Sequence, residues 1–262
     1  MVEILKEKCT GCGACIKDCP AGAIKLEDGR AAWLRKCIQC GHCVAVCPQN
    51  AVSIPSYEME DVEEYDSESF RIEPENFLHA VKFRRSIRNF KDRHLEKEVI
   101  GGILQAGRYT ATAKNMQDCT FVVVQERLEE FRKLMWDTMP SILEEMEKVN
   151  HPYLRSIQFL YRKWEKSGED SLLFNADALL VTASEEPLDA GLAAANMEMM
   201  AAASGAGVLY SGFTAGVLSA APTLREWLGL GEKKPVCCML LGYPAVTYRR
   251  TAPRRKADII WR

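Results

Sequence analysis

Several features that commonly identify a function are missing from this sequence. The first six residues already carry charge, and no apolar segment of the signal-peptide type follows them, so we expect no secretion. The sequence has no G-x-G-x-x-G after a strand pattern, no phosphate loop for a nucleoside triphosphate and no Ser/His/Asp array. The net charge of −2 gives no overall field that would attract nucleic acid or a membrane surface, so we expect neither as a partner.

One uncharged stretch, residues 199–224, is long enough to cross a bilayer. It is nevertheless interrupted by four glycines, a proline and several serines and threonines, and it has few large aliphatic side chains. We therefore predict a helix, a turn and a second helix inside a water-soluble domain, and no membrane span.

Cysteine, by contrast, is abundant: eleven are present, and eight of them fall between residues 9 and 47. The eight form an internal repeat, because C-x2-C-x2-C-x3-C-P begins at Cys9 and again at Cys37. A secreted disulfide scaffold could use as many cysteines, but the missing signal argues against it. Zinc prefers two ligand pairs with a long spacer, which this pattern lacks.

The repeated motif predicts two 4Fe-4S clusters. In two-cluster ferredoxins the fourth cysteine of each motif, the one before proline, binds the other cluster. We therefore assign one cluster to Cys9, Cys12, Cys15 and Cys47, and the other to Cys37, Cys40, Cys43 and Cys19. This stretch closely resembles bacterial two-cluster ferredoxins, whose clusters pass single electrons. Exposed clusters and reduced thiols lead us to expect a cytoplasmic protein.

The chain divides into three parts by composition. Residues 1–56 hold the cysteine motifs, and residues 57–76 form a connector with nine acidic residues and one basic residue. We predict a solvated, extended linker there, with docking onto basic faces of its neighbours as the alternative. Residues 77–262 have mixed helix and strand patterns. The predicted elements are helices over 77–82, 96–108 and most of 127–166, a helix capped by Asp189, and strands over 121–124, 178–183 and 235–242.

A basic segment, FRRSIRNF at residues 83–90, could bind a phosphate, because arginine offers a planar fork of donors. Asn115 and Gln117 follow directly before a predicted strand, and a second basic cluster, residues 249–256, follows the last strand. With the Gly- and Ala-rich segment 189–212 between them, this order resembles the nitroreductase family of FMN enzymes.

The resemblance implies an α+β fold, a three-layer α-β-α domain preceded by the small ferredoxin-like domain, and a homodimer with FMN at the subunit interface. It also implies the flavin contacts. These are Arg84, Arg85, Ser86 and Arg88 at the phosphate and ribityl chain, Asn115 with Gln117 near the pyrimidine edge, Tyr210, Ser211 and Gly212 along the ring, and Arg254 with Arg255 again at the phosphate. The sequence departs from the family where Asp118 and Cys119 replace a common Pro-Trp, and residues 127–174 match no pattern.

These features predict an iron–sulfur flavoprotein oxidoreductase with no catalytic side chain of its own. A low-potential donor such as reduced ferredoxin would load the clusters, and FMN would pass electrons to a nitroaromatic, a quinone or another electron-poor small molecule. One alternative is an electron relay for a partner enzyme. Another is reductive dehalogenation or reduction of a conjugated double bond on the same scaffold. Polar side chains from residues 127–174 that hold the substrate would favour this alternative.

Overall fold

The computed structural model describes residues 2–262, which fall into two compact units. Unit 1 contains residues 2–71 together with Ala113–Met116, and unit 2 contains Ile72–Thr112 and Gln117–Arg262. The last residues of the acidic connector therefore belong to unit 2, where a helix begins at Pro74.

Unit 1 repeats one pattern twice: a strand, a single helical turn and a second strand. The first copy is β1 (Glu3–Ile4), α1 (Ala14–Lys17) and β2 (Ile24–Glu27), and the second is β3 (Arg30–Trp33), α2 (His42–Ala45) and β4 (Val52–Ser53). Strand β1 pairs with β4, and β2 pairs with β3, both antiparallel. The two copies of the sequence repeat are thus interlocked, and one small core that includes Cys15 and Cys43 lies between them.

Unit 2 is built on one antiparallel sheet in the order β5-β6-β8-β7. Its strands are β5 (Thr120–Val124), β6 (Ala178–Ala183), β7 (Gly207–Tyr210) and β8 (Pro235–Gly242). Its helices are α3 (Pro74–Phe83), α4 (Lys97–Arg108), α5 (Leu128–Asp137), α6 (Met139–Lys148), α7 (Leu154–Ser167), α8 (Pro187–Ala203), α9 (Gly212–Ala220) and α10 (Pro222–Trp227).

The central strand β6 shows why helices cover both faces of the sheet. All six of its residues are buried, and successive side chains point to opposite faces. Leu179 and Val181 join the larger core, to which α5, α6, α7, α9 and α10 contribute, whereas Leu180 joins a second core with α4 and α8. These three layers confirm the predicted α+β, α-β-α fold class.

Two details of the sequence prediction were wrong in this part of the chain. Residues 199–224 contain strand β7 between two helices, where we had predicted only a turn; its four residues are too few for periodicity to reveal. Helix α8 begins at Pro187 after Glu186, so Asp189 lies in the first turn and is not the cap. An acidic residue there still favours the helix through its dipole.

Prolines divide the helical region 127–166 as predicted. Pro140 is the second residue of α6, which starts directly after α5, and Pro152 lies between α6 and α7. No helix among residues 2–262 has both the length and the apolar composition needed to span a membrane.

Candidate functional site

Unit 1 contains two small cavities, each walled by four cysteines. The first cavity is lined by Cys9, Cys12, Cys15 and Cys47. The second is lined by Cys19, Cys37, Cys40 and Cys43. The structure therefore brings three cysteines of one motif together with the fourth cysteine of the other motif in both cavities.

The spacing of these thiols suits a guest larger than one metal ion. Among residues 2–262, no group of three or more Cys, His, Asp or Glu side chains is arranged to hold a single ion. One zinc would need its thiolates to converge to about 2.3 Å from a common point. A cubane instead takes a thiolate at each of its iron corners, which lie farther apart. Both cavities therefore fit an iron–sulfur cluster better than zinc.

Backbone amides donate hydrogen bonds to the sulfurs in both cavities. The donors are Ala31 to Cys9 (3.4 Å), Ala23 to Cys19 (3.2 Å), Gln39 to Cys37 (3.2 Å) and Ala51 to Cys47 (3.3 Å). Such donors favour the thiolate form, and they lower the pKa of Cys9. They would also temper the charge of a bound cluster.

The pKa values of two more deeply buried thiols are raised instead. Burial raises the pKa of Cys15, and it raises the pKa of Cys43 to about 11, with the charges of neighbouring cysteines adding to both effects. Crowded thiolates need a cation to share their charge, and iron coordination supplies one. Gly13 and Gly41 start the two helical turns at φ of 76° and 78°, a conformation that glycine adopts without strain.

In unit 2, the basic segment predicted to bind phosphate lies beside strand β7. The Ile87 amide donates to the Val208 carbonyl at 2.9 Å, and Ser86 forms a parallel bridge with Val208. Strand β7 ends two residues further on, at Tyr210, and α9 begins at Gly212. The structure thus brings the segment around Ser86 and the turn at 210–212 to the same edge of the sheet.

The turn at 210–212 presents free amides at the N-terminus of α9. Ser211 caps this helix: its hydroxyl accepts from the Thr214 amide at 3.2 Å, and its own amide donates to the Cys238 carbonyl at 2.8 Å. The amides of Gly212 and Phe213 have no hydrogen-bond acceptor within the described chain. Unsatisfied donors at a helix start can bind the nitrogen or oxygen acceptors of a ligand.

The arginines predicted for the phosphate differ in their surroundings. Arg84 is ion-paired with Glu198 at 2.8 Å. No described acidic side chain forms an ion pair with Arg85, Arg88, Arg254 or Arg255, and Arg254 bonds only to the Pro253 carbonyl, at 3.4 Å. Four guanidinium groups are therefore available for an anion. Arg85 and Arg88, in the segment beside β7, fit a phosphorylated flavin together with the free amides at α9. The roles of Arg254 and Arg255 at the phosphate stay predictions.

Glu198 is a buried residue that the sequence analysis missed. It lies on α8 with 7% of its surface exposed, and it faces both Arg84 and Tyr210. Burial, and after it the negative charge of the Glu198 carboxylate, raise the pKa of Tyr210. A signal was present in the sequence, because Glu198 is the single charged residue in the run 190–224.

The structure places Asn115 and Gln117 in different units. Asn115 belongs to unit 1, where its side-chain amide donates to the carbonyls of Gln39 (3.0 Å) and Ile38 (3.3 Å). Gln117 belongs to unit 2, and its backbone amide donates to the Thr112 hydroxyl at 3.0 Å. Their roles at the flavin pyrimidine edge stay predictions.

Asp118, one of the two departures from the family pattern, fastens strand β5 to the end of β6. Its carboxylate accepts from the Ser184 hydroxyl at 3.0 Å and from the Glu185 amide at 2.9 Å. These hydrogen bonds lower the pKa of Asp118. Burial raises the pKa of the neighbouring Cys119, so its thiol stays protonated in a half-buried position. Asp118 and Cys119 are therefore both part of the packed structure around strand β5.

The unassigned region 127–174 supplies a turn that packs against α9. The Tyr153 ring lies 5.2 Å from the Phe213 ring, at 90°, and 5.7 Å from the His151 ring. A Cβ atom on Gly212 would be 3.4 Å from the Tyr153 hydroxyl oxygen, so this hydroxyl lies directly beside the helix start. No pattern in the sequence indicated this contact, because it joins segments about 60 residues apart.

The sequence matches family descriptions in both units. The nitroreductase family matches residues 81–243, more than half of the chain, and two 4Fe-4S dicluster domain descriptions match residues 8–52 and 36–82. No curated protein gives a significant match.

Solved structures match over the larger part of the chain. One is a nitroreductase with bound FMN from Bacteroides fragilis NCTC 9343: 20% identity, TM-score 0.55, covering 70% of this chain and 98% of that one. A second is a nitroreductase with bound FMN from Desulfitobacterium hafniense DCB-2, with 20% identity and a TM-score of 0.54; the match covers 70% of this chain and 97% of that one. A third is an FMN-dependent nitroreductase from Clostridium difficile R20291, with 17% identity and a TM-score of 0.53; the match covers 72% of this chain and 100% of that one. At these identities the likeness is one of fold.

Proposed function

We propose that this chain, which belongs to the nitroreductase family, passes electrons from its 4Fe-4S clusters to FMN and on to an electron-poor acceptor of nitroaromatic or quinone type. The family match and the dicluster matches support the general conclusion that the chain is an FMN-dependent oxidoreductase with 4Fe-4S clusters. The identities of the electron donor and of the acceptor are what we propose beyond that conclusion.

One observation supports it above the others. The same polypeptide has two cavities walled by four cysteines each and, in unit 2, a turn with free amides beside unpaired arginines. Clusters store and pass single electrons but offer no site for an organic substrate. A flavin accepts electrons singly and can deliver two, so it can connect such clusters to an organic acceptor.

The side chains of unit 2 have binding roles in this proposal. Arg85 and Arg88 would hold the phosphate, and the unpaired amides of Gly212 and Phe213 would donate hydrogen bonds to the flavin. The Arg84–Glu198 ion pair fixes the basic segment to α8, and the Glu198 carboxylate also faces Tyr210. No nucleophilic side chain takes part.

Reduced ferredoxin, or a donor of similar low potential, is our proposal for the electron source. Electrons that arrive through iron make direct reduction by a nicotinamide unnecessary. Cluster potentials span roughly −700 to +450 mV, so the clusters can lie below a flavin in potential.

Anaerobic stopped-flow absorbance tests the electron path. After reduction by ferredoxin or dithionite, cluster and flavin bands should be bleached together, and both should recover on mixing with a nitroaromatic or a quinone, because the flavin is refilled from the clusters. Recovery of the flavin alone, with the clusters still reduced, would show that the clusters do not feed the flavin. Failure with every acceptor would favour the electron relay.

We also propose that unit 2 forms a homodimer through α3 and α8. Helix α3 packs against α8 and has no buried residue. Its exposed apolar side chains are Phe77, Leu78, Val81 and Phe83, and α8 adds Leu188, Leu192 and Met200. An apolar patch on two adjacent helices is typical of an interface between copies of one chain.

Replacing Leu192 by Asp should convert the dimer to a monomer, because a charge would then be buried in that interface. Size-exclusion chromatography with light scattering measures the mass. Phe159→Asp on α7 is the matched control, since Phe159 is an exposed apolar side chain outside the patch, and this variant should stay dimeric. A monomeric parent chain, or a dimeric Leu192→Asp variant, would contradict the proposal.

A further inference from the structure

We propose that the Tyr153 hydroxyl donates a proton to the acceptor, and that it selects acceptors whose reducible group carries an oxygen atom. Such acceptors are quinones, nitroaromatics and conjugated carbonyl compounds, all of which take up protons together with electrons. This inference rests on the proposed function and assigns the acid that the proposed function lacks.

Four hydroxyl groups lie around the start of α9, and three of them are already engaged. The Tyr210 phenol faces the carboxylate of the buried Glu198, which is an acceptor for its proton. Ser211 and Thr214 are buried and bond each other at 2.7 Å, and the Thr214 hydroxyl also reaches the Leu172 carbonyl at 3.4 Å.

The fourth hydroxyl, that of Tyr153, has no hydrogen-bond partner among residues 2–262, and the side chain is 39% exposed. It is therefore the hydroxyl at this helix start that is free to donate to a ligand.

The surroundings of Tyr153 hold its hydroxyl in place. The Tyr153 amide donates to His151 Nδ1 at 3.2 Å, which ties the two residues into one turn. The ring packs between His151 and Phe213. Gly216 leaves no room beneath the turn, because a Cβ atom there would lie 2.9 Å from His151 Cε1 and 3.0 Å from the Tyr153 ring. A hydroxyl held against packed groups in this way needs little reorganisation to act.

The proton count of the reaction requires such a donor. Reduction of a quinone to a hydroquinone, or of a nitro group to a nitroso group and water, consumes two electrons and two protons. Reduced FMN supplies two electrons and one proton. The Tyr153 O–H bond breaks as the new O–H bond of the acceptor forms, and the tyrosinate regains its proton from the solvent that reaches this exposed side chain.

Tyr153→Phe tests the role, because it removes the hydroxyl and keeps the ring. We expect quinone and nitroaromatic reduction to slow by about 100-fold, the lower end of what a general acid contributes. Reduction of ferricyanide, which accepts one electron and no proton, should keep its rate. Benzoate, an unreactive anion that can accept the hydroxyl proton in a hydrogen bond, should bind oxidised holoenzyme about 10-fold more weakly in a flavin absorbance titration.

Tyr161→Phe is the matched control. This tyrosine lies on α7, stacks on Trp136 in the core and faces Glu165, so both acceptors and benzoate should behave as in the parent chain. Unchanged quinone reduction and unchanged benzoate affinity in Tyr153→Phe would overturn the inference while leaving the proposed function intact. A parent chain that reduces neither ferricyanide nor quinone would overturn the proposed function itself.

Should Tyr153→Phe fail to retain FMN, the parent enzyme still decides the question. The N5 hydrogen of reduced FMN also exchanges with solvent, so mixtures of water and deuterium oxide are needed. The rate of quinone reduction should fall along a curve, because the N5 hydrogen and the phenolic proton then move together, and ferricyanide reduction should keep its rate. A straight-line fall, or no fall, in quinone reduction would count against a proton donor at this position.

Discussion

Replacing Cys9 and Cys47 together by serine should leave about four of the chain's eight irons, whereas replacing Cys9 and Cys19 together should leave almost none. The two 4Fe-4S clusters of the dicluster domain account for the eight. Cys9 and Cys47 line one cavity, so their joint loss removes one cluster and leaves the other with all four thiolates. Cys9 and Cys19 line different cavities, so their joint loss takes a ligand from both clusters.

Iron and sulfide analysis after anaerobic gel filtration measures this outcome. Cys119→Ser is the control, since Cys119 lies outside both cavities and its loss should leave all iron in place. The reverse pattern, with Cys9/Cys19 keeping half of the iron, would mean that each motif serves its own cluster and that the cavities do not reflect the ligand sets.

The cluster module was the part most open to prediction from sequence. Four thiolates around a cubane impose a fixed local spacing, and proline after the fourth cysteine identifies the exchange between motifs. Strand β6 could also be predicted, because a strand buried on both faces is a continuous apolar run. The helix boundaries near Pro140 and Pro152 could be predicted because proline has no amide proton for a helical hydrogen bond. Strand β7 was not, because four residues between two helices carry no period.

The site residues that were missed depend on tertiary contacts. Tyr153 reaches Gly212 only because the turn between α6 and α7 folds onto α9, and nothing in its neighbouring residues predicts this. Glu198 could have been noticed as a lone charge on a helix rich in small residues, but its partner Arg84 is 114 residues away. Sequence reasoning therefore named the arginines as one set, and the structure separates them by their partners.

Arg84 and Arg88, four residues apart in one predicted phosphate site, should respond differently to replacement by alanine. Arg88→Ala removes an exposed guanidinium without an acidic partner, so we expect FMN to bind about 10-fold more weakly and the fold to keep its stability. Arg84→Ala leaves the buried Glu198 carboxylate without its counter-charge. Since the Arg84 side chain is 27% exposed, we expect a loss of about 2 kcal/mol in the free energy of unfolding, less than for a fully buried pair.

A second replacement separates the two roles of Arg84. In Arg84→Ala/Glu198→Leu the buried charge is gone, so most of the lost unfolding free energy should return, because leucine suits the apolar neighbours of α8. Urea unfolding of the FMN-free protein measures the stability, and quenching of FMN fluorescence measures the affinity. Should Arg84→Ala weaken FMN binding more than Arg88→Ala does, at unchanged stability, Arg84 would be a phosphate ligand rather than the counter-charge of the buried Glu198.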